Sequence, residues 1–148
     1  MIDYVVGFIF SPGFEDVLLV QKKRPEWQRG ILNGCGGKVE GRESHLQAMA
    51  RECEEETGLL TKRHDWTRAA IMTGPTWRVA VLFLATADIV KARTMTDEPV
   101  CIYRTRDVQN VTTVPHLQWS IPLCTHFGSA VHGTAIVRPV LVFEELTK

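Results

Sequence analysis

Residues 51–56 read Arg-Glu-Cys-Glu-Glu-Glu, and four acidic side chains so close together on one helix repel each other. A divalent cation removes that repulsion, because hard Mg2+ or Mn2+ takes carboxylate oxygens as ligands. At about 100° per residue, Glu52, Glu55 and Glu56 fall within roughly one third of the helix circumference, so their offsets gather three carboxylates on one side. Leu46, Met49 and Cys53 share an adjoining face suited to a core, and Glu54 points to solvent. Arg51 is placed for a bidentate bond to a carboxylate, with Glu43 the candidate partner. Such a bond would orient the ligands from behind. Ahead of the helix, Gly36 and Gly37 let the backbone come close to a ligand, with no Cβ in the way.

The surrounding sequence supplies elements to hold this arrangement. Residues 4–10 and 17–21 are β-branched and apolar, and are separated by Ser-Pro-Gly-Phe-Glu-Asp, which predicts two neighbouring strands. Residues 22–24 leave the sheet, and residues 24–38 read as a glycine-rich loop. Residues 44–57 contain strong helix formers with no internal Gly or Pro, and Gly58 ends the helix. A second strand pair is expected at residues 71–73 and 77–86 around Gly74-Pro75, with another short strand at residues 100–103. Residues 117–127 suit a helix that Pro122 bends or shortens. Residues 136–143 read as a closing strand, where Pro139 suggests an edge or bulge. The whole is a strand-rich mixture of α and β in a single domain over residues 1–148.

With 17 basic and 17 acidic residues the chain carries no net charge, hence no global field to hold a nucleic acid polymer. A small nucleotide in a local pocket stays compatible with that balance. Cys35, Cys53, Cys101 and Cys124 form no C-x-x-C pair, which removes zinc and dithiol chemistry. The N-terminus lacks the features of a signal peptide, and no apolar run reaches membrane-spanning length. We therefore expect a soluble, cytoplasmic protein with reduced thiols, either a monomer or a homodimer.

Other motifs carry less. The Gly-Cys-Gly-Gly-Lys run fails as a phosphate-binding P-loop, since Val39 follows Lys38 where Ser or Thr is needed. His45, His64, His116, His126 and His132 show no metal-ligand spacing and read as surface or packing residues. Trp27, Trp66, Trp77 and Trp119 suit a core, although Trp27 lies in a polar loop where a ring can instead stack on a base.

The segment from Gly37 to Leu59 resembles the signature of the Nudix hydrolases, G-x5-E-x7-R-E-U-x-E-E-x-G-U. Gly37, Glu43, Arg51, Glu52, Glu55, Glu56, Gly58 and Leu59 fill its places, and Cys53 stands at the first bulky apolar position. The resemblance implies an α/β/α sandwich around a mixed β-sheet, Mg2+ or Mn2+ as cofactor, and hydrolysis of a phosphoanhydride bond. It places Glu52, Glu55, Glu56 and Glu98 at the metal together with Gly36. Arg51 is carried into the catalytic group, and the general base is Glu52, Glu55 or Glu98. Asp97 substitutes for Glu98 if the register slips by one. Gly37, Glu43 and Gly58 give structural support.

The run from Ile31 to Glu43 also resembles the loop of Nudix enzymes that cleave nucleoside triphosphates, including 8-oxo-dGTP diphosphatases. On that likeness Asn33 contacts the base, and Lys38 and Glu40 act at the phosphates and the metal. The implied substrate is a (d)NTP, modified or not, split into a nucleoside monophosphate and pyrophosphate. Residues 111–123 lack the acidic pair that reads oxidised guanine. Pro75, sixteen residues past Leu59, is a cue toward an ADP-ribose or other nucleotide-sugar pyrophosphatase. A nucleotide-sensing module without catalysis is the remaining alternative.

Overall fold

The computed structural model describes residues 1–129 and 140–142. Strand β1 (Ile2–Phe10) is central, and its alternation serves two cores at once. Val6, Phe8 and Phe10 face one side, while Val5 and Ile9 face the other. β1 pairs antiparallel with β2 (Asp16–Gln21) and parallel with β6 (Trp77–Ala85). β5 (Thr67–Thr73) pairs antiparallel with β6, beginning four residues earlier than the sequence suggests. β7 (Val100–Arg104) pairs antiparallel with β2. At the edge, β8 (Val140–Val142) runs parallel to β5. The expected closing strand is seen only at these three positions; residues 130–139 and 143, Pro139 included, lie outside the described residues.

The glycine-rich stretch departs from expectation. Instead of a continuous loop it contains β3 (Leu32–Asn33), paired with β2, and β4 (Cys35–Lys38), paired antiparallel with β1 from Tyr4↔Lys38 to Gly7↔Cys35. Glycines carry no side-chain alternation to betray a strand; backbone pairing alone makes this one. Gly36 shows why glycine is needed, with φ at +153° and a position where a Cβ would run into the Val5 carbonyl.

Helix α1 (His45–Thr57) lies on the Val5/Ile9 face. Ser44 caps it through a reciprocal pair of bonds with Gln47, and Gly58 closes it at φ +74°. Met49 and Cys53 are fully buried and Leu46 packs beside them. The helix sits close because β1 offers Gly7, where a Cβ would be 2.7 Å from Met49 Cε. Helix α2 (Leu117–Ser129) covers the opposite face with Leu117, Ile121 and Cys124. Pro122 neither bends it into two pieces nor shortens it. The amide that Pro122 lacks would have reached the carbonyl of Gln118, an exposed residue in the first turn, where solvent can take the bond. The result is a mixed sheet between two helices, the α/β/α sandwich expected. No helix among the described residues is long and apolar enough to cross a membrane.

Candidate active site

α1 presents its acidic stripe toward β4. Glu56 is 8% exposed, and its Oε2 accepts the Gly36 amide at 3.0 Å. Burial pushes its carboxyl up to about 7, against the pull of Lys22 and the Gly36 amide, while Glu52 and Glu98 add repulsion. Glu52 sits against Gly37, whose Cα leaves no space for a side chain: a Cβ there would lie 2.7 Å from the Glu52 carboxyl carbon. Burial raises Glu52 above the usual carboxylate range even though Arg51 bonds it at 2.8 Å. Glu55 is mostly exposed and accepts from Arg51 at 3.2 Å.

Arg51 organises the near end of the stripe. Its Nε and Nη2 hold both oxygens of Glu43, at 3.2 and 2.7 Å, and Nη2 also donates to the Lys38 carbonyl at 3.0 Å. The bond from Arg51 keeps Glu43 below the ordinary carboxylate range. Glu43 Oε1 further accepts the Glu40 amide at 2.8 Å. One guanidinium thus ties α1, the 40–43 turn and the end of β4 into a single frame.

The loop over residues 93–99 closes the far end. Its start docks on the end of α1, with the Arg93 amide donating to Thr57 O at 3.0 Å and the Met95 amide to Glu56 O at 3.4 Å. Glu98 is 5% exposed rather than solvated. Its Oε1 accepts from Lys22 Nζ at 3.0 Å, and its Oε2 from the amides of Lys23 at 2.7 Å and Arg24 at 3.4 Å. Burial would raise this carboxyl, but the Lys23 amide and Lys22 together hold it below the usual range. Asp97 points elsewhere, in an exposed bidentate pair with Arg24.

Glu52, Glu56, Glu98, Gly36 and Gly37 thus share one locality, with Glu55 at its exposed margin. Among the described residues no three acidic, histidine or cysteine side chains already converge on a metal point. Instead Arg51 bonds Glu52, Lys22 bonds Glu98, and Glu56 accepts the Gly36 amide. The donor set is nevertheless all oxygen, rich in negative charge and partly buried, which fits a hard divalent cation.

Toward the 22–33 segment the arrangement changes character. Asn33 Nδ2 donates to Gln28 Oε1 at 3.2 Å, and its Oδ1 accepts the Gly34 amide at 2.8 Å. Next to Gln28, Trp27 is 65% exposed, so it does not serve the core. Trp66 is buried, and Trp77 and Trp119 pack against the α2-side core. Lys38 and Glu40 are exposed at the end of β4 and just beyond it. His116 is a packing residue, neighbouring Phe8 and Trp119 with Nδ1 3.2 Å from Ser120 Oγ, and burial lowers it to about 4.

Lys22, which bonds Glu98, and Gln28, which bonds Asn33, are site groups that motif spacing does not reveal. A signal was present for Lys22, because Leu18, Val20 and Lys22 continue one strand alternation toward the α1 face.

Comparison with known proteins agrees with this geometry. A family profile described as the NUDIX domain matches residues 2–117. A CTP pyrophosphohydrolase of Escherichia coli (strain K12) is 41% identical over 59 residues, which span 40% of this chain and 42% of that protein. The matched segment is therefore less than half the length of the relative. Among solved structures, a MutT from a study of Aliivibrio salmonicida and Vibrio cholerae superposes with a TM-score of 0.70 at 23% identity, covering 82% of this chain and 97% of the other. The NUDIX domain of Shewanella oneidensis NrtR, solved with ADP ribose, gives 0.72 at 15% identity, covering 84% and 86%. At those identities the likeness is one of fold.

Proposed function

The chain belongs to the Nudix family, and we propose that it is a divalent-metal-dependent pyrophosphohydrolase that cleaves a nucleoside triphosphate, modified or not, to the monophosphate and pyrophosphate. The observation that carries this reading is Glu56: a buried acid on one helix face, pushed up to about 7, with Glu52 and Glu98 in electrostatic reach. Such an arrangement costs stability unless a cation completes it.

Glu52, Glu55, Glu56 and Glu98, with Gly36, would hold Mg2+ or Mn2+, which when bound neutralises phosphate oxygens and makes water more acidic. The chain's own residues supply the rest. Glu52, raised by burial and held by a single bond from Arg51, is the group suited to accept the proton of the attacking water. As the new oxygen–phosphorus bond forms, the bridging P–O bond breaks and pyrophosphate leaves. Glu98 is a weaker candidate base, since three donors already hold it ionised. Lys38 and Glu40, exposed at the end of β4 and just beyond it, would be free to act at the phosphates and the metal. Trp27 offers an exposed ring for stacking, and Asn33, pinned by Gln28, offers a fixed polar edge to the base.

The relative named as a CTP pyrophosphohydrolase supports a triphosphate and makes CTP the first to try. Pro75 lends only slight weight to ADP-ribose, because it sits in the β5–β6 turn that the Gly74 amide closes by donating to Trp77 O at 2.9 Å. The free cysteines suit a reducing, cytoplasmic setting. The deciding experiment incubates the protein and Mg2+ with CTP, dCTP, other (d)NTPs, 8-oxo-dGTP and ADP-ribose, and identifies the products. Pyrophosphate with a nucleoside monophosphate supports the proposal. AMP with ribose 5-phosphate moves the chain to the nucleotide-sugar branch, and tight binding without turnover makes it a sensor.

A further inference from the structure

Lys22 follows two fully buried residues of its strand face, Leu18 and Val20, yet ends in an ammonium. Its side chain is only 12% exposed, a degree of burial that lysine tolerates when paired. The pair is Glu98 Oε1 at 3.0 Å. Among the charged groups acting on Glu56, Lys22 exerts the strongest effect, whereas Glu52 and Glu98 repel it. Of the other cations near these acids among the described residues, Arg51 is committed to Glu43, Glu52 and Glu55, and Arg24, which also feels Glu98, is committed to Asp97. Lys22 is therefore the positive charge that offsets the inner carboxylates in this structure.

We infer that Lys22 is the resident cation of the Glu56–Glu98 locality, occupying charge space that a divalent ion takes over and releasing Glu98 Oε1 when that ion arrives. The inference rests on the reading of Glu52, Glu56 and Glu98 as a metal site. Two features suit such an exchange. Glu98 Oε2 is anchored separately by the Lys23 and Arg24 amides, so the carboxylate keeps its place while Oε1 changes partner. The loop that carries it is also fastened by Arg24 to Asp97, and this pair need not open when Lys22 leaves. Metal binding then substitutes a double charge for a single one, and Lys22 acts as a built-in competitor that weakens it.

The test measures Mn2+ binding to metal-stripped protein by electron paramagnetic resonance, for the wild type, Lys22→Gln and Glu56→Gln. Removing a competing unit charge at close range should tighten Mn2+ binding about tenfold in Lys22→Gln, whereas Glu56→Gln should lose it. Equal or weaker binding by Lys22→Gln, with Glu56→Gln deficient, overturns the exchange and leaves the metal site standing. Absence of Mn2+ binding by the wild type removes both. Should Lys22→Gln fold poorly, the wild type decides by 15N NMR of its lysine ammonium groups. The one protected by burial should shift and exchange faster with solvent on saturation with Mg2+, and an unchanged signal overturns the inference.

Discussion

Glu56 on α1 accepts the amide of Gly36 on β4 at 3.0 Å, so a buried acid and a strand position that only glycine can fill meet at one point. The bond sets the helix against the strand and leaves the second oxygen of Glu56 without a bonded donor among the described residues. Both consequences bear on stability and on metal binding.

Glu56 titrates near 7 in the folded chain and near 4.5 when exposed. The folded state therefore holds this proton more tightly, so the contribution to stability is full below pH 4.5 and is lost as pH rises through 7. The loss amounts to about 3 kcal/mol. Metal-stripped Glu56→Gln should be more stable than the wild type at pH 8 by about 1–3 kcal/mol, and equal to it near pH 4, by urea unfolding. His116 works in the opposite sense. Burial lowers it to about 4, so its contribution is full above pH 6.5 and fades as pH falls toward 4. The two offset one another between pH 4.5 and 6.5, and His116→Gln should expose the Glu56 slope.

Neighbouring glycines should fail in different ways. Gly37→Ala drives a methyl group into the Glu52 carboxylate, which can swing aside, so the fold should survive while kcat falls about 100-fold. Gly36→Ala meets the Val5 backbone and a φ of +153°, neither of which can yield. It should cost about 3 kcal/mol or more of stability, as overpacking and backbone strain combine. Thermal melting and steady-state kinetics on both variants separate the effects.

The acidic stripe and the Arg51–Glu43 contact were legible because each depends on offsets along one helix and one turn. A strand-rich mixture of α and β was legible from the apolar runs and a helix closed by Gly58, whereas the sandwich itself came from the resemblance of residues 37–59 to the Nudix signature. β4 was hidden because Gly36 and Gly37 carry no side chain whose facing could be read, and β3 because its two residues, Leu32 and Asn33, are too few to show an alternation. Trp27 invited a core reading by its ring alone, yet its polar neighbours Glu26, Gln28 and Arg29 were the better guide. Lys22 escaped notice for a different reason. A charge after a strand looks like the end of burial, and only its Glu98 partner, 76 residues away in sequence, keeps it inside.

Arg51 and Glu43 should act as a unit. Arg51→Lys keeps the charge but loses the two-pronged grip, so kcat should fall about tenfold, and about 100-fold or more in Arg51→Ala. A double-mutant cycle with Glu43→Gln should return a coupling of about 1–2 kcal/mol in stability, because both groups are largely shielded from solvent.

Trp27 should matter to substrate alone. Its ring is mostly exposed, so Trp27→Ala should leave the melting temperature within about 1 °C while raising KM about 5- to 150-fold, the range of one lost base stack. A changed melting temperature with unchanged KM would assign the ring to the fold instead.

The most direct measurement strips the protein of metal and follows pyrophosphate release from CTP and the other triphosphates as Mg2+ is restored, in the wild type and in Glu56→Gln. The expected result is no turnover without Mg2+, saturable recovery in the wild type, and at least about 100-fold less in the variant at any Mg2+ concentration. Undiminished turnover by the stripped wild type, or by Glu56→Gln, would contradict it.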